Sequence, residues 1–319
     1  MKAAKVIFIV LNLAIVGFLI YFLSTLEYDR IRSLFVQAEI EWLIIGLAFF
    51  GLSIIFKILR FGAVLQFYGY RFSFSDTAYV QMVGIAIAMM TPGRLGEASK
   101  IYLLQRKSVP VLTGTALTIF ERIFDFLLLS LAGIIFALQF MPGSNLIWAF
   151  IALIAIMTAL LFILRHLHWL RRFVPDRFRT MYDQLANLRF SGKRKFLVSI
   201  SLYTFATWFA QALLSWAALR ALHIDISSLA VLGVESIGTL AAILSFLPLG
   251  IGAQDLSMLF LYGILGVSNE AAAIVVLLSR TAGFLVPLLI ALIMANIRGT
   301  SFFKLRSVLK PSGALTKHE

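Results

Sequence analysis

A chain of 319 residues that is 61% hydrophobic and 13% charged, with mean hydropathy +0.95, is too poor in charge to cover a water-facing surface, because soluble domains carry about 25% charged residues. The net charge of +13 has no soluble basic domain on which to bind nucleic acid, and it is read instead as basic loops facing anionic lipid. With no cysteine in the chain, disulfides, thiolate nucleophiles and cysteine metal sites are excluded.

Long unbroken apolar runs, in place of the short alternation of a barrel strand, make this an all-α polytopic membrane protein. Lys2 and Lys5 precede an apolar run over 6–24. It is longer than the roughly 7–15 residues of a signal peptide and ends in Ser24-Thr25-Leu26-Glu27, without a small-residue cleavage site, so it reads as a retained first span. An outer loop over 25–41 follows, with Glu27, Asp29, Glu39 and Glu41 against Arg30 and Arg32. Further spans of about 20 apolar residues are expected at 42–60, 112–138, 145–164, 196–219 and 270–296, giving six full spans. Lys57 and Arg60, at the inner end of the second span, read as snorkelling side chains.

Two apolar regions fit less well. The stretch 76–106 is interrupted at Thr91-Pro92-Gly93-Arg94-Leu95-Gly96-Glu97, and 229–266 at Leu247-Pro248-Leu249-Gly250-Ile251-Gly252-Ala253. The halves after the breaks, 97–106 and 253–266, are too short to cross a bilayer. Proline and clustered glycine break a helix, and freed backbone is tolerated at membrane depth only inside protein or beside a cavity. Both regions are therefore expected to be re-entrant hairpins or broken helices.

Basic residues set the orientation. Arg60, Arg71, Arg106 and Lys107 are inside; so is the loop 165–195, with nine lysines and arginines against Asp176 and Asp183. The tail over 297–319, with Arg298, Lys304, Arg306, Lys310 and Lys317, is inside too. This works only if 76–106 enters and leaves on the inner face and 229–266 on the outer face. Tyr182, Leu185 and Leu188 within the basic loop suggest an amphipathic interfacial helix, or serve ordinary topology control. The chain is thus expected to be one integral membrane domain over 1–319, with a first repeat at 42–138 and a second at 196–296. Pro92 to Gly96 and Pro248 to Gly252 share the spacing Pro-x-x-x-Gly, and Arg122 and Arg280 follow at nearly equal distances. Repeats of opposite orientation with broken helices meeting at the midplane are a mark of transport folds.

Arg122 lies about ten residues into its span, roughly 15 Å deep at 1.5 Å per residue, and Arg280 is as deep from the other side. Such a position costs roughly 2.5–3.5 kcal/mol on insertion scales, so both should face protein or a wet cavity. Glu121 and Asp125 share a helix face, with Asp125 three residues from Arg122. Two readings stay open: an internal ion pair that locks helices together, or two arginines that offer charge to a phosphate. Arg280 has no acidic neighbour in sequence; Glu235 or a lipid phosphate is its candidate partner. Gly96, and Gly250 with Gly252, open half-helices whose free N–H groups attract anions. Glu97, and Gln254 with Asp255, are expected to complement those helix dipoles. Lys100 is expected to pair with Glu97 or reach the headgroup zone, and Arg94 is a candidate headgroup contact. His166, His168, His223 and His318 lack metal-ligand spacing. No Gly-x-x-x-x-Gly-Lys-Ser/Thr occurs, so active transport would draw on an ion gradient or a partner.

The run Thr91 to Glu97, the Glu121-Arg122-x-x-Asp125 cluster and the Pro248-x-Gly250-x-Gly252 break resemble the lysylphosphatidylglycerol synthase transmembrane-region family, in order and spacing together. That family includes the flippase part of bacterial multiple peptide resistance factor proteins. The resemblance covers nearly the whole chain. It implies two inverted repeats with re-entrant helices and translocation of phospholipid between leaflets, with Arg122, Arg280, Glu121, Asp125 and the two glycine breaks lining the lipid path. Arg94 and Leu249 stand where the family often has glycine, which leaves the substrate open. The chain ends about twenty residues after its last span, so a stand-alone member without the aminoacyl-transfer domain is expected. The expected function is a lipid flippase moving an anionic phospholipid or lipid phosphate, with no enzymatic step, cofactor or metal. The alternative is a membrane component of lipid-linked glycosylation or lipid-modification machinery; Asp176 and Asp183, isolated among arginines, speak against it. The expected setting is the plasma membrane with both termini cytoplasmic. The expected partners are lipids with anionic headgroups, and a separate lipid-modifying enzyme is a further candidate.

Overall fold

Hydrocarbon offers no water to an unpaired peptide group, so a chain of this composition has to bond its backbone internally. In a computed structural model, which describes residues 24, 26–166, 194–247 and 250–298, every regular element is helical. The expected first span, most of the basic loop and most of the tail lie outside the described residues, as does the side chain of Arg94.

A short helix α1 (Tyr28–Gln37) lies within the expected outer loop and precedes α2 (Ile40–Phe67). The first broken region is α3 (Phe74–Met89), a 3-10 turn (Pro92–Glu97) and α4 (Ala98–Gln105). Then come α5 (Val111–Phe140), α6 (Asn145–Arg165) and α7 (Arg194–Ala221). The second broken region is α8 (Ser228–Leu244) and α9 (Ala253–Ile264), and α10 (Asn269–Ile297) closes the described chain. Among the described residues five helices, α2, α5, α6, α7 and α10, are long and apolar enough to cross a membrane. They match the five expected spans that fall there. With 16 and 17 residues, α3 and α8 are too short to cross comfortably. Serine side chains accept the first free N–H groups of α3, α8 and α10, at Ser73, Ser227 and Ser268.

The order long helix, broken pair, long helix occurs twice, as α2–α5 and α7–α10, with α6 between them packed on α5. The leading helices α2 and α7 lie against each other and run antiparallel. An added Cβ on Gly46 would lie 3.1 Å from Ala217; further along, Lys57 meets Gln211, Arg60 meets Thr204, and Phe67 stacks on Phe196 with ring centroids 3.7 Å apart. The halves also exchange contacts: α3 packs on α10, and α8 packs on α5. Two apolar cores result, at opposite ends of the bundle. One surrounds α3 and α4 with the later part of α2, the early part of α5 and the end of α10. The other surrounds α8 and α9 with the later parts of α5 and α7 and the start of α10.

Each break is built by its own sequence. Thr91 is extended (φ −121°, ψ 145°), as a residue before proline must be. Its hydroxyl bonds the carbonyl of Ala88 at 3.0 Å and accepts the N–H of Gly96 at 2.6 Å. That folds Gly96 back so tightly that an added Cβ would sit 2.4 Å from the carbonyl oxygen of Ile87. In the second break Gly250 does the same, 2.5 Å from the side chain of Ala242, and does so with φ +63°, a region that glycine enters without a Cβ clash. The two helices of each broken region pack on each other, α3 on α4 and α8 on α9.

Gly96→Ala should lower detergent-solubilised thermal stability by about 1–3 kcal/mol, the usual cost of overpacking, as read by a fluorescence melt. Gly51→Ala, where an added Cβ meets nothing within 4 Å, should leave the melt unchanged.

Candidate functional site

At the centre of the first half, α2 carries Arg60 into contact with α5. Helix α2 runs on to Phe67, which puts Arg60 about two turns inside it, and the side chain is 1% exposed. The expectation that Arg60 snorkels at the inner boundary is therefore corrected. The run Phe61 to Phe67 was the available signal, since it continues the apolar helix past the arginine. Arg60 donates to Glu121 at 2.8 and 3.2 Å, to Asp125 at 2.5 and 3.3 Å and to Thr204 at 3.1 Å. Glu121 also accepts from Gln81 at 3.3 Å and from Lys100 at 3.1 Å, and Asp125 accepts from the indole of Trp208 at 2.8 Å.

Lys100 is fully buried. Its stem lies on Gly84, where an added Cβ would come within 2.4 Å of it. The amine reaches Glu121, with Glu97 at 4.0 Å, so the alternative that it reaches the headgroup zone is corrected. Arg122 pairs with Glu97 at 2.8 Å and with Asp125 at 3.2 Å. Arg60, Lys100 and Arg122 thus face Glu97, Glu121 and Asp125, and the cluster is neutral. Paired charges of this kind are what a buried site tolerates.

The second half repeats one part of this. Arg280 pairs with Asp255 at 3.0 Å and donates to Gln254 at 2.7 Å. The pairs Glu97–Arg122 and Asp255–Arg280 have the same sequence separation, and each arginine stands at the same position from the start of its helix. Glu235, one of the two candidate partners of Arg280, shares no ion pair with it among the described residues; its carboxylate takes hydrogen bonds from Ser215 and Ser279 instead. Asp255 does complement its helix start, accepting the N–H of Gly252 at 2.8 Å. Glu97 makes no such cap and turns to Arg122. The N–H groups of Gly96 and Gly252 are thereby taken by Thr91 and Asp255.

Between the halves lies a cavity of about 400 Å³. Arg122 and Arg280 both line it, with Lys57, Glu97, Asp125, Gln211 and Gln254. Its apolar wall includes Phe50, Ile54, Ile85, Met89, Phe284 and Pro287. Of the residues singled out from sequence, Arg122, Arg280, Glu97 and Asp125 are on this wall, while Glu121, Lys100, Gly96, Gly250, Gly252 and Asp255 are not among its lining residues. Lys57, expected to snorkel, instead faces the cavity, with its amine 2.8 Å from Gln211 and 5.2 Å from the ring centroid of Trp208. Trp208 and Gln211 carried no sequence signal, because each lies in an ordinary apolar helix far from the motifs.

Comparison with known proteins adds to this geometry. The family described as the lysylphosphatidylglycerol synthase TM region matches residues 9–291. A UPF0104 membrane protein of Pyrococcus horikoshii is 23% identical over 323 residues, covering 90% of this chain and 95% of its own. Another, from Methanocaldococcus jannaschii, is 23% identical over 314 residues, covering 88% of this chain and 92% of its own. A phosphatidylglycerol lysyltransferase of Staphylococcus epidermidis is 36% identical over 89 residues, which are 28% of this chain and 11% of that protein. Apolar helices of spanning length and a family match over most of the sequence agree: this chain is a multi-pass membrane protein and belongs to the lysylphosphatidylglycerol synthase transmembrane-region family.

Proposed function

We propose that this protein moves an anionic phospholipid or lipid phosphate between the two leaflets. The observation that carries the reading is that two arginines, one from each half, line a single cavity with an apolar wall. A guanidinium binds phosphate oxygens with a planar fork of donors. Both arginines hold carboxylates at rest, Glu97 and Asp255, so a headgroup phosphate would bind by exchanging with an anion of like charge. The lining carries Lys57, Arg122 and Arg280 against Glu97 and Asp125, which favours one further negative charge. A volume near 400 Å³ suits a headgroup and leaves the acyl chains in the bilayer. The similarity to a phosphatidylglycerol lysyltransferase makes phosphatidylglycerol the first lipid to try.

In this reading the hairpins α3–α4 and α8–α9 are re-entrant, the first from the inner face and the second from the outer, and each half is the inverse of the other. With the span over 6–24 there are six crossings, in the plasma membrane, with both termini cytoplasmic. The antiparallel leading helices and the cores at opposite ends support that arrangement. The protein itself makes and breaks no covalent bond. A separate enzyme would supply or modify the lipid.

In phosphatidylglycerol vesicles, wild-type protein should expose a fluorescent phosphatidylglycerol to a membrane-impermeant quencher faster than empty vesicles do. Arg280→Gln should slow this about ten- to hundredfold, the worth of a charge-assisted hydrogen bond, with an unchanged gel-filtration profile. Equal rates in wild-type and empty vesicles, or an unaffected variant, would reject the proposal.

Arg60 has a different predicted role. Arg60→Ala leaves Glu121 and Asp125 short of a cation and should cost about 3–5 kcal/mol of stability. The expected readout is aggregation in detergent, with Lys57→Ala remaining monodisperse.

A further inference from the structure

We infer that Glu235 is a proton-binding carboxyl that couples occupancy of the Arg280 end of the cavity to uptake of a proton. The inference rests on the proposed lipid-phosphate binding and adds an ion to it. Four other interior carboxylates, Glu97, Glu121, Asp125 and Asp255, each have a lysine or arginine within 3.1 Å. Glu235, 1% exposed, has no such ion pair among the described residues. One carboxylate oxygen accepts from Ser215 of α7 and from Ser279 of α10, the latter at 3.0 Å. The other oxygen is buried without a hydrogen-bond partner, as are the hydroxyls of Ser236 and Thr239 on the same helix. An ionised carboxylate in such a place is costly unless a nearby charge compensates it.

The groups around Glu235 can be named helix by helix. From α7 comes Ser215, from α9 Tyr262, and from α10 Ser279 and the charge of Arg280. From α5 comes the apolar Phe136, which packs on Gly233 of α8. Arg280 directly follows Ser279 on α10 and puts its positive charge on the cavity wall, where Glu235 is not among the lining residues. Ser279 joins the two: it is one of the cavity's lining residues and it donates to Glu235.

Asp255 already balances Arg280, so an anionic phosphate that displaces it from the guanidinium leaves two anions at one cation, and this added negative charge disfavours a charged Glu235. A proton then passes from cavity water to the Ser279 hydroxyl, which hands its own proton to the Glu235 carboxylate. One O–H bond forms on Glu235, the Ser279 hydroxyl is restored, and water gives up one proton. The phosphate stays anionic. Linkage is reciprocal, so a protonated Glu235 also tightens phosphate binding. This supplies the ion coupling that a chain without a nucleotide-binding loop needs for active transport.

The test adds a short-chain phosphatidylglycerol to weakly buffered, detergent-solubilised protein across a pH series. A pH dye reads proton uptake, and tryptophan fluorescence reads binding. Wild type should take up as much as one proton per lipid bound at the best pH. Glu235→Gln should bind the lipid with no uptake, and Glu235→Asp, which keeps a carboxyl, should retain it. Ser279→Ala, which keeps Glu235 but removes the donor facing the cavity, should slow uptake at least tenfold in stopped flow. Binding without uptake in wild type, or equal uptake by Glu235→Gln, overturns the coupling and leaves lipid binding standing. No binding by wild type overturns the proposed function and the coupling together.

Discussion

A charge taken into this bundle is costly unless an opposite charge cancels it within a few ångströms, and at Arg60 that cancellation is most complete. Its five donors are the only kind that can satisfy two carboxylates and a hydroxyl at once from a single planar group. Through Glu121 and Asp125 it ties α2 to α5; through Thr204 it reaches α7, and Glu121 brings in Gln81 of α3 and Lys100 of α4. Five helices are thereby registered against one another. Lipid tails are as apolar as the helix surfaces, so the hydrophobic effect does little to hold helices together within a bilayer. The polar cluster and close contacts such as Gly46 on Ala217 take its place.

The two halves keep the same acid–arginine pair but differ around it. Where the first half has Glu121 directly before Arg122, the second has Ser279 directly before Arg280. Where Lys100 lies on Gly84, Met258 lies on Gly238. The first half is accordingly a charge-saturated scaffold. The second carries fewer charges, with Arg280 held by Asp255 and Gln254 and Glu235 held by hydroxyls among the described residues. A site that must release its guanidinium to a ligand is better placed where few other bonds constrain it. This asymmetry gives the two arginines different surroundings.

Much of this was legible in the linear chain. Uninterrupted apolar length identified the five spans that the structure describes, and proline with glycine identified both breaks, because each is a local property of backbone and solvent. That Arg122 and Arg280 each face protein or a cavity followed from their depth within long apolar runs; that they share one cavity came from the structure. Arg60 and Lys57 were misread, since a charge near the end of an apolar run looks the same whether it escapes to water or finds a partner. Glu235 was one of two candidate partners for Arg280, with a lipid phosphate; Asp255, beside the break, holds the arginine instead.

Sequence alone determined the solvent, the helical class, the family resemblance and the points where the chain turns back, since all of these follow from composition and from residues adjacent along the backbone. Only the tertiary structure decided which charge meets which. Arg60 and Glu121 are 61 residues apart in the chain and 2.8 Å apart in space. Ion pairing depends on that second distance, which is set by how α2, α5 and α7 pack and not by any pattern within one of them.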